Sequence, residues 1–127
     1  AAINTTLLQN SKNIVNDVLA NFDSNNMNMS EGLILSCLNY LSTVTSATPE
    51  HKYYFVSLAQ LCKSRSNVFN SEAIIEKMIQ ILQQTPALPT PNARKTAMLT
   101  RSLIITILMR IYAEVPEWPL EFVKVRC

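Results

Sequence analysis

The sequence LIITILMRIY at residues 103–112 decides the fold, because it is apolar at every position except Thr106 and Arg110. A helix that is apolar nearly all the way round is normally buried between other helices. A membrane span needs about 20 such residues, and Arg101 and Arg110 lie too close together for that. The stretch therefore predicts the central core helix of a folded domain and no contact with a membrane. Its inward face is predicted at Ile104, Ile107, Leu108 and Ile111.

Apolar residues at helical spacing predict further helices on both sides of this stretch. Three features mark the boundaries between these helices. They are the turn-forming run Asp23–Asn26, the helix-start signal Thr48-Pro49-Glu50, and the proline-rich connector Thr85–Asn92. Ser30 is predicted to cap the second helix, and Asn70 or Ser71 the fourth. The predicted helices, six in all, run from about Thr5 to Phe22, Ser30 to Leu41, Pro49 to Cys62, Ser71 to Leu82, Ala93 to Glu114, and onward from Pro119.

No segment has the alternation typical of strands, so the fold class is all-α. Short turns between the helices predict three helical hairpins, which would stack as a HEAT-like or armadillo-like α-solenoid segment. An irregular bundle is the alternative. Residues 1–127 are expected to form a single all-helical domain, a fragment of a larger protein.

Residues that carry chemistry are sparse. The sequence contains one glycine, Gly32, whereas a phosphate-binding loop needs several, so such loops are excluded. The one histidine, His51, has no potential metal ligands and no nucleophile near it in sequence. Cys37 and Cys62 fall on apolar helix faces and are expected to act as small hydrophobes. We therefore expect no catalytic site, no cofactor, no metal and no small-molecule substrate.

Three groups of surface residues have a functional interpretation and a structural one. Three glutamates lie close together in sequence around Pro116, namely Glu114, Glu117 and Glu121. We favour a solvated surface turn here over a functional cluster of carboxylates. Met27 and Met29 flank a polar turn and are expected to dock locally, although a partner contact is open.

Trp118 stands between prolines and either plugs the end of the helical layer or anchors a partner. We favour the plug, but the side chains of this segment are also the candidate interaction residues, namely Trp118, Phe122, Lys124 and Arg126.

Three blocks of sequence resemble the N-terminal conserved region of the largest subunit of the Integrator complex. They are Tyr54-Phe55-Val56-Ser57-Leu58-Ala59-Gln60-Leu61, then Asn67-Val68-Phe69-Asn70-Ser71-Glu72 with Ile74-Ile75-Glu76, and the closing Trp118-Pro119-x-x-Phe122-Val123-Lys124-Val125. Together they cover about Lys52–Val125 in the expected order. The chain departs from the family pattern at Arg126-Cys127, where an aromatic and then an acidic segment usually follow.

The resemblance implies a nuclear, non-enzymatic scaffold segment of a complex that acts on RNA polymerase II transcripts, including the 3′-end processing of small nuclear RNAs. Its implied partners are other subunits of that complex. The rival hypothesis is an RNA- or DNA-binding helical repeat with weak nucleic-acid contact through Lys63, Arg65, Arg94, Lys95, Lys124 and Arg126. The net charge of +2 and pI of about 8.5 do not favour it.

Overall fold

The structure is a computed structural model that describes residues 2–43, 48–84 and 90–114, with side chains from residue 13 onward. These ranges form α1 (Ala2–Asp23), α2 (Met27–Thr43), α3 (Pro49–Arg65), a 3₁₀ helix (Ser66–Phe69), α4 (Glu72–Gln83) and α5 (Pro91–Glu114). The described part of the chain contains no strand, which confirms the all-α class. The predicted sixth helix, from Pro119 onward, lies outside the described residues.

The turn between α1 and α2 is tighter than predicted. Asn25 takes a left-handed φ of 63°, and the amides of Asn25 and Asn26 donate to the carbonyls of Phe22 and Asn21. This is the Schellman arrangement, which satisfies the last carbonyls of a helix within three residues. Because α1 ends so sharply, α2 begins at Met27, and the prediction that Ser30 caps it is wrong. Ser30 lies buried inside α2, and its hydroxyl has no partner among the described residues.

Two helices begin with a threonine followed by proline. Thr48 Oγ1 accepts a hydrogen bond from the His51 amide at 3.1 Å, which confirms the predicted start of α3. Thr90 Oγ1 accepts one from the Ala93 amide at 3.0 Å, and Pro91 is the first residue of α5. Proline suits this position because the first amide of a helix needs no partner. The predicted connector therefore ends at Thr90 instead of Asn92, while residues 85–89 lie outside the described part.

At the start of α4, Ser71 occupies the cap position, but it does not cap through its side chain. Its hydroxyl donates instead to Glu31 Oε2 of α2 at 2.5 Å. This contact joins two helices that are distant in sequence, at the expense of the local hydrogen bond that the sequence predicts.

The core is organised around the 3₁₀ helix, which contacts α1, α2, α3 and α5. Its Phe69 is fully buried, and Val68 is nearly so. Among the helices, α1 packs against α2 and α3, whereas α4 packs against α2 and α5. The first predicted hairpin is thus formed, but α3 and α4 make their main contacts elsewhere. The hairpin of α5 with a sixth helix lies outside the described residues.

Helix α5 is not buried on all sides, contrary to its predicted central position. One face is buried as predicted, with Ile104, Ile107 and Ile111 at 1% exposure or less and Leu108 half-buried. The opposite face carries apolar side chains that are exposed. The apolar residues of the stretch 103–112 therefore form two sets. One set packs into the core, and the other lies exposed on the opposite face.

Candidate protein interaction surface

The outer face of α5, defined by Met98, Leu99, Ile105, Met109 and Tyr112, is the principal apolar surface of the described chain. These side chains are 67%, 45%, 47%, 66% and 43% exposed, respectively. Met98, Ile105, Met109 and Tyr112 recur at spacings of three, four and seven residues, which places them in one stripe along the helix. The stripe runs opposite the buried residues, so the core cannot cover it. Contiguous exposed apolar patches of this kind mark interaction sites.

Two hollows adjoin this face. The first lies between α3 and α5, has a volume of about 450 Å³, and is lined by Ala59, Cys62, Lys63, Leu103, Thr106, Met109, Arg110 and Ala113. The second lies at the N-terminal end of α5 and is lined by Pro91, Arg94, Lys95, Met98, Leu99 and Ser102. Hollows beside an apolar ridge accept the side chains of a docked helix or segment.

Positive charge borders the outer face. Arg94 and Lys95 lie at its N-terminal end, and Lys63 and Arg110 line the hollow between α3 and α5. The acidic residue of α5 is Glu114, and its carboxylate already has partners. Its Oε1 accepts a hydrogen bond from Ser66 Oγ at 2.6 Å and lies 3.5 Å from Arg110 Nε. A ligand segment with acidic flanks would match this border.

The inner face of α5 is tied to the rest of the domain by polar contacts as well as by packing. Arg101 donates hydrogen bonds to three backbone carbonyls at the C-terminal end of α4. These are the carbonyls of Ile81, Leu82 and Gln84, at 3.3, 2.7 and 3.5 Å. Thr100 Oγ1 lies 3.4 Å from Nε2 of His51, which is only 4% exposed. These contacts fix the orientation of α5, so its outer face is presented by a rigid support.

His51, Cys37 and Cys62 are structural groups. Burial lowers the pKa of His51, whose ring stacks on Phe55 with centroids 6.1 Å apart. Burial raises the pKa of Cys37 to about 11 and also raises that of Cys62, so both remain neutral thiols in the core, as predicted. Within the described ranges, no three His, Cys, Asp or Glu side chains converge as metal ligands would.

The candidate interaction residues Trp118, Phe122, Lys124 and Arg126 lie outside the described residues, as do Glu117 and Glu121. The prediction that Met27 and Met29 dock locally is wrong, because both are about half exposed at the start of α2.

The described cations of the rival hypothesis are dispersed. Arg65 is paired with Asp23 Oδ1 at 2.8 Å and lies over the Phe22 ring. Arg94 and Lys95 line the hollow at the N-terminal end of α5, whereas Lys63 lines the hollow between α3 and α5.

The sequence prediction missed Met98, Leu99, Ile105 and Met109 as surface residues. The signal was present in the apolar residues on both faces of the helix, but the same pattern is typical of a helix buried on all sides. Helix α5 is also the one described helix long and apolar enough to cross a membrane, with a mean hydropathy of 1.3 over its most apolar window. Core helices pass the same test, and the packed inner face with Arg101 favours that explanation.

Comparison with known proteins finds similarity to Integrator complex subunit 1 of Homo sapiens and of Mus musculus. Each alignment is 33% identical over 95 residues, which is 75% of this chain but 4% of the relative. No family model and no solved structure matches the chain. The partial similarity agrees with the resemblance seen in the sequence blocks. The first two sequence blocks that carry the resemblance contain buried residues, among them Leu58, Phe69 and Ile75.

Proposed function

We propose that this chain is a non-enzymatic scaffold segment of an Integrator-type complex in the nucleus, and that it works by protein–protein contact. It would belong to a HEAT-like or armadillo-like helical array in a complex acting on RNA polymerase II transcripts, including small nuclear RNA 3′-end processing. Its partners would be other subunits of that complex. The similarity to Integrator complex subunit 1 supports the assignment to such a complex.

The observation that carries a binding function is the outer face of α5. Burying apolar surface contributes about 25 cal/mol per Å², so the five exposed apolar side chains of this face offer substantial binding free energy. Two of the five are methionines, whose flexible side chains adapt to a partner's shape. The basic border adds specificity and faster association instead of affinity at the centre.

Capture from nuclear extract tests this proposal, with the bound proteins identified by mass spectrometry. The wild-type chain is expected to retain Integrator subunits. Met98→Asp places a charge in the stripe and should abolish capture, because an unpaired charge buried in an interface is strongly unfavourable. Met29→Asp is the matched control, since Met29 is also an exposed methionine but lies on α2, far from α5 in sequence. Capture of no Integrator subunit by the wild type would contradict the proposal.

The nucleic-acid hypothesis makes a different prediction. Binding through phosphates weakens steeply with salt because counterions are released. A fluorescence titration with RNA at low and at moderate salt therefore distinguishes the two functions. Tight binding that falls with salt, together with Met98→Asp behaving as wild type, would favour a nucleic-acid module.

A further inference from the structure

The two hollows beside α5 lie on one side of that helix. Six of their lining residues follow one another at spacings of three and four, namely Lys95, Met98, Ser102, Thr106, Met109 and Ala113. Residues at such spacings share one face of a helix. We infer that the hollows are the two ends of a single groove, and that its occupant is a helix of another protein with an apolar face and acidic residues at both ends. This inference rests on the proposed function, because it specifies the chemistry of the partner.

The groove is bounded on both sides at its C-terminal part. Helix α3 forms one wall through Ala59, Cys62 and Lys63. On the other side of the line stand Ile105 and Tyr112, which are both exposed. Helices pack by placing the side-chain ridges of one into the grooves of the other. A second helix laid parallel to α5 therefore contacts apolar side chains on both sides.

The floor of the groove alternates between large and small side chains. Met98 and Met109 are both exposed and lie about 16 Å apart along the helix axis. Between them are Ser102 and Thr106, whose small side chains leave room for large apolar residues of a partner. Thr106 Oγ1 donates to the Ser102 carbonyl at 2.9 Å, so this hydroxyl keeps its hydrogen bond when an apolar helix covers it.

Both ends of the groove are basic. Arg94 and Lys95 line the N-terminal end, and Lys63 and Arg110 line the C-terminal end. None of the described residues that line the two hollows is acidic. Lys95 and Arg110 are about 22 Å apart along α5. Complementary charge therefore requires a partner helix of about 15 residues or more, with its acidic residues at the two ends and its apolar residues between them.

Two other occupants fit the groove less well. In a second copy of the chain, basic ends would meet basic ends whether the two α5 helices ran parallel or antiparallel, and like charges repel at short range. Nucleic acid would pair with the cations at the ends, but it would gain little from the exposed methionines between them. A helix that is apolar in the middle and acidic at both ends complements the whole length.

A synthetic helical peptide of about 18 residues tests the inference. It carries leucines on one face and glutamates at both ends, and its binding to this chain is measured by the fluorescence anisotropy of an attached label. A scrambled peptide of the same composition, in which the leucines do not share a face, is the control. We expect the scrambled peptide to bind at least about tenfold more weakly, because helix-in-groove recognition requires the apolar residues on one face.

Charge reversal at each end of the groove tests the electrostatic part. Lys95→Glu and Lys63→Glu should each weaken the peptide by about tenfold, because carboxylates then face carboxylates. Two further peptides carry lysines in place of glutamates at one end only. One of them should restore binding to Lys95→Glu and the other to Lys63→Glu, since the two cations lie at opposite ends. Lys77→Glu, on α4, is the matched control and should bind the original peptide as the wild type does.

Ser102→Glu tests the floor, because it places a charge beneath the apolar face of the peptide and should abolish binding. Ser102 is exposed, and circular dichroism establishes that this and the other variants keep their helices.

Three results would overturn the inference: equal binding of the scrambled peptide, wild-type binding by Ser102→Glu, or failure of both lysine peptides to restore binding. A dimer of the chain that the peptide does not dissociate would overturn it in favour of a second copy. The measurements use no Integrator subunit. Capture from nuclear extract without peptide binding would therefore refute the groove alone, whereas peptide binding without capture would refute only the assignment to the complex.

Discussion

His51 is a buried group whose charge state affects the stability of the fold. It lies in the first turn of α3, stacks on Phe55, and places Nε2 3.4 Å from Thr100 Oγ1 of α5. Burial disfavours the charged imidazolium, so the pKa in the folded chain is lower than the ordinary value of 6.5. The unfolded chain therefore binds a proton at a higher pH than the folded chain does.

The expected result is a stability that falls as pH decreases. Above the unfolded pKa of 6.5 both states are neutral at His51, and its contribution does not change with pH. As the pH falls from there towards the lower folded pKa, protonation favours the unfolded state. Urea unfolding between about pH 7.5 and 5 should show this loss. His51→Gln should remove that part of the slope; an unchanged slope in this variant would show that His51 does not cause it.

The caps show how far single residues can be predicted from sequence. Thr48 was predicted correctly because threonine, proline and an acid stand together, and each supports the same local geometry. Ser30 is not a cap, and Ser71 occupies the predicted cap position without the side-chain hydrogen bond of a cap, for a physical reason. A hydroxyl can be buried inside a helix or donate to a distant carboxylate such as Glu31, and the sequence does not show which neighbours tertiary packing will bring.

At the scale of elements, Arg101 joins α5 to the end of α4. Its guanidinium donates to three carbonyls at the end of α4, where helix carbonyls lack the usual amide four residues on. Of these three, the Ile81 carbonyl also accepts the Gln84 amide at 3.2 Å. Hydrogen bonds that involve a charged group contribute about 1.5–3 kcal/mol. The sequence identified Arg101 only as an obstacle to a membrane span, because nothing in it indicates that α4 ends at this side chain.

Arg101→Met should therefore lower the free energy of unfolding by about 1.5–3 kcal/mol, since it keeps the apolar stem and removes the donors. Arg101→Lys should recover only part of the loss, because an ammonium lacks the planar fork that reaches several carbonyls. The matched control is Arg94→Met, an exposed position on the same helix, which should change stability by less than about 0.5 kcal/mol. Chemical denaturation measures all three; equal losses in Arg101→Met and Arg94→Met would contradict the assigned role.

The bounds of the helices were predictable within a few residues, but the pairing of helices was not. Apolar spacing determines where a helix has a face to bury, and it placed α3, α4 and α5 correctly. It does not determine which face meets which. Helix α4 packs on α2 and α5 because the 3₁₀ helix at Ser66–Phe69 separates it from α3, and four residues of irregular helix give no periodic signal.

At the scale of the whole molecule, the arrangement of α5 links stability to the proposed function. Its inner face closes the core around Phe69, and its outer face carries apolar side chains that the described domain leaves exposed. The sequence predicted a helix surrounded by protein, whereas the described residues bury only its inner face. The sequence therefore showed that α5 is apolar on both faces, but it did not show which apolar residues are buried and which are exposed. Only the packing of the helices distinguishes the two sets.

The most direct test of this account compares two truncations on opposite faces of α5. Ile107→Ala should lower the free energy of unfolding by about 2–5 kcal/mol, because it leaves a cavity in the core. Met98→Ala should change it by no more than about 0.5 kcal/mol, because its side chain is exposed. Thermal or urea unfolding followed by circular dichroism measures both. A strongly lowered midpoint for Ile107→Ala beside a wild-type midpoint for Met98→Ala is the predicted result, and equal midpoints for the two variants would contradict the account.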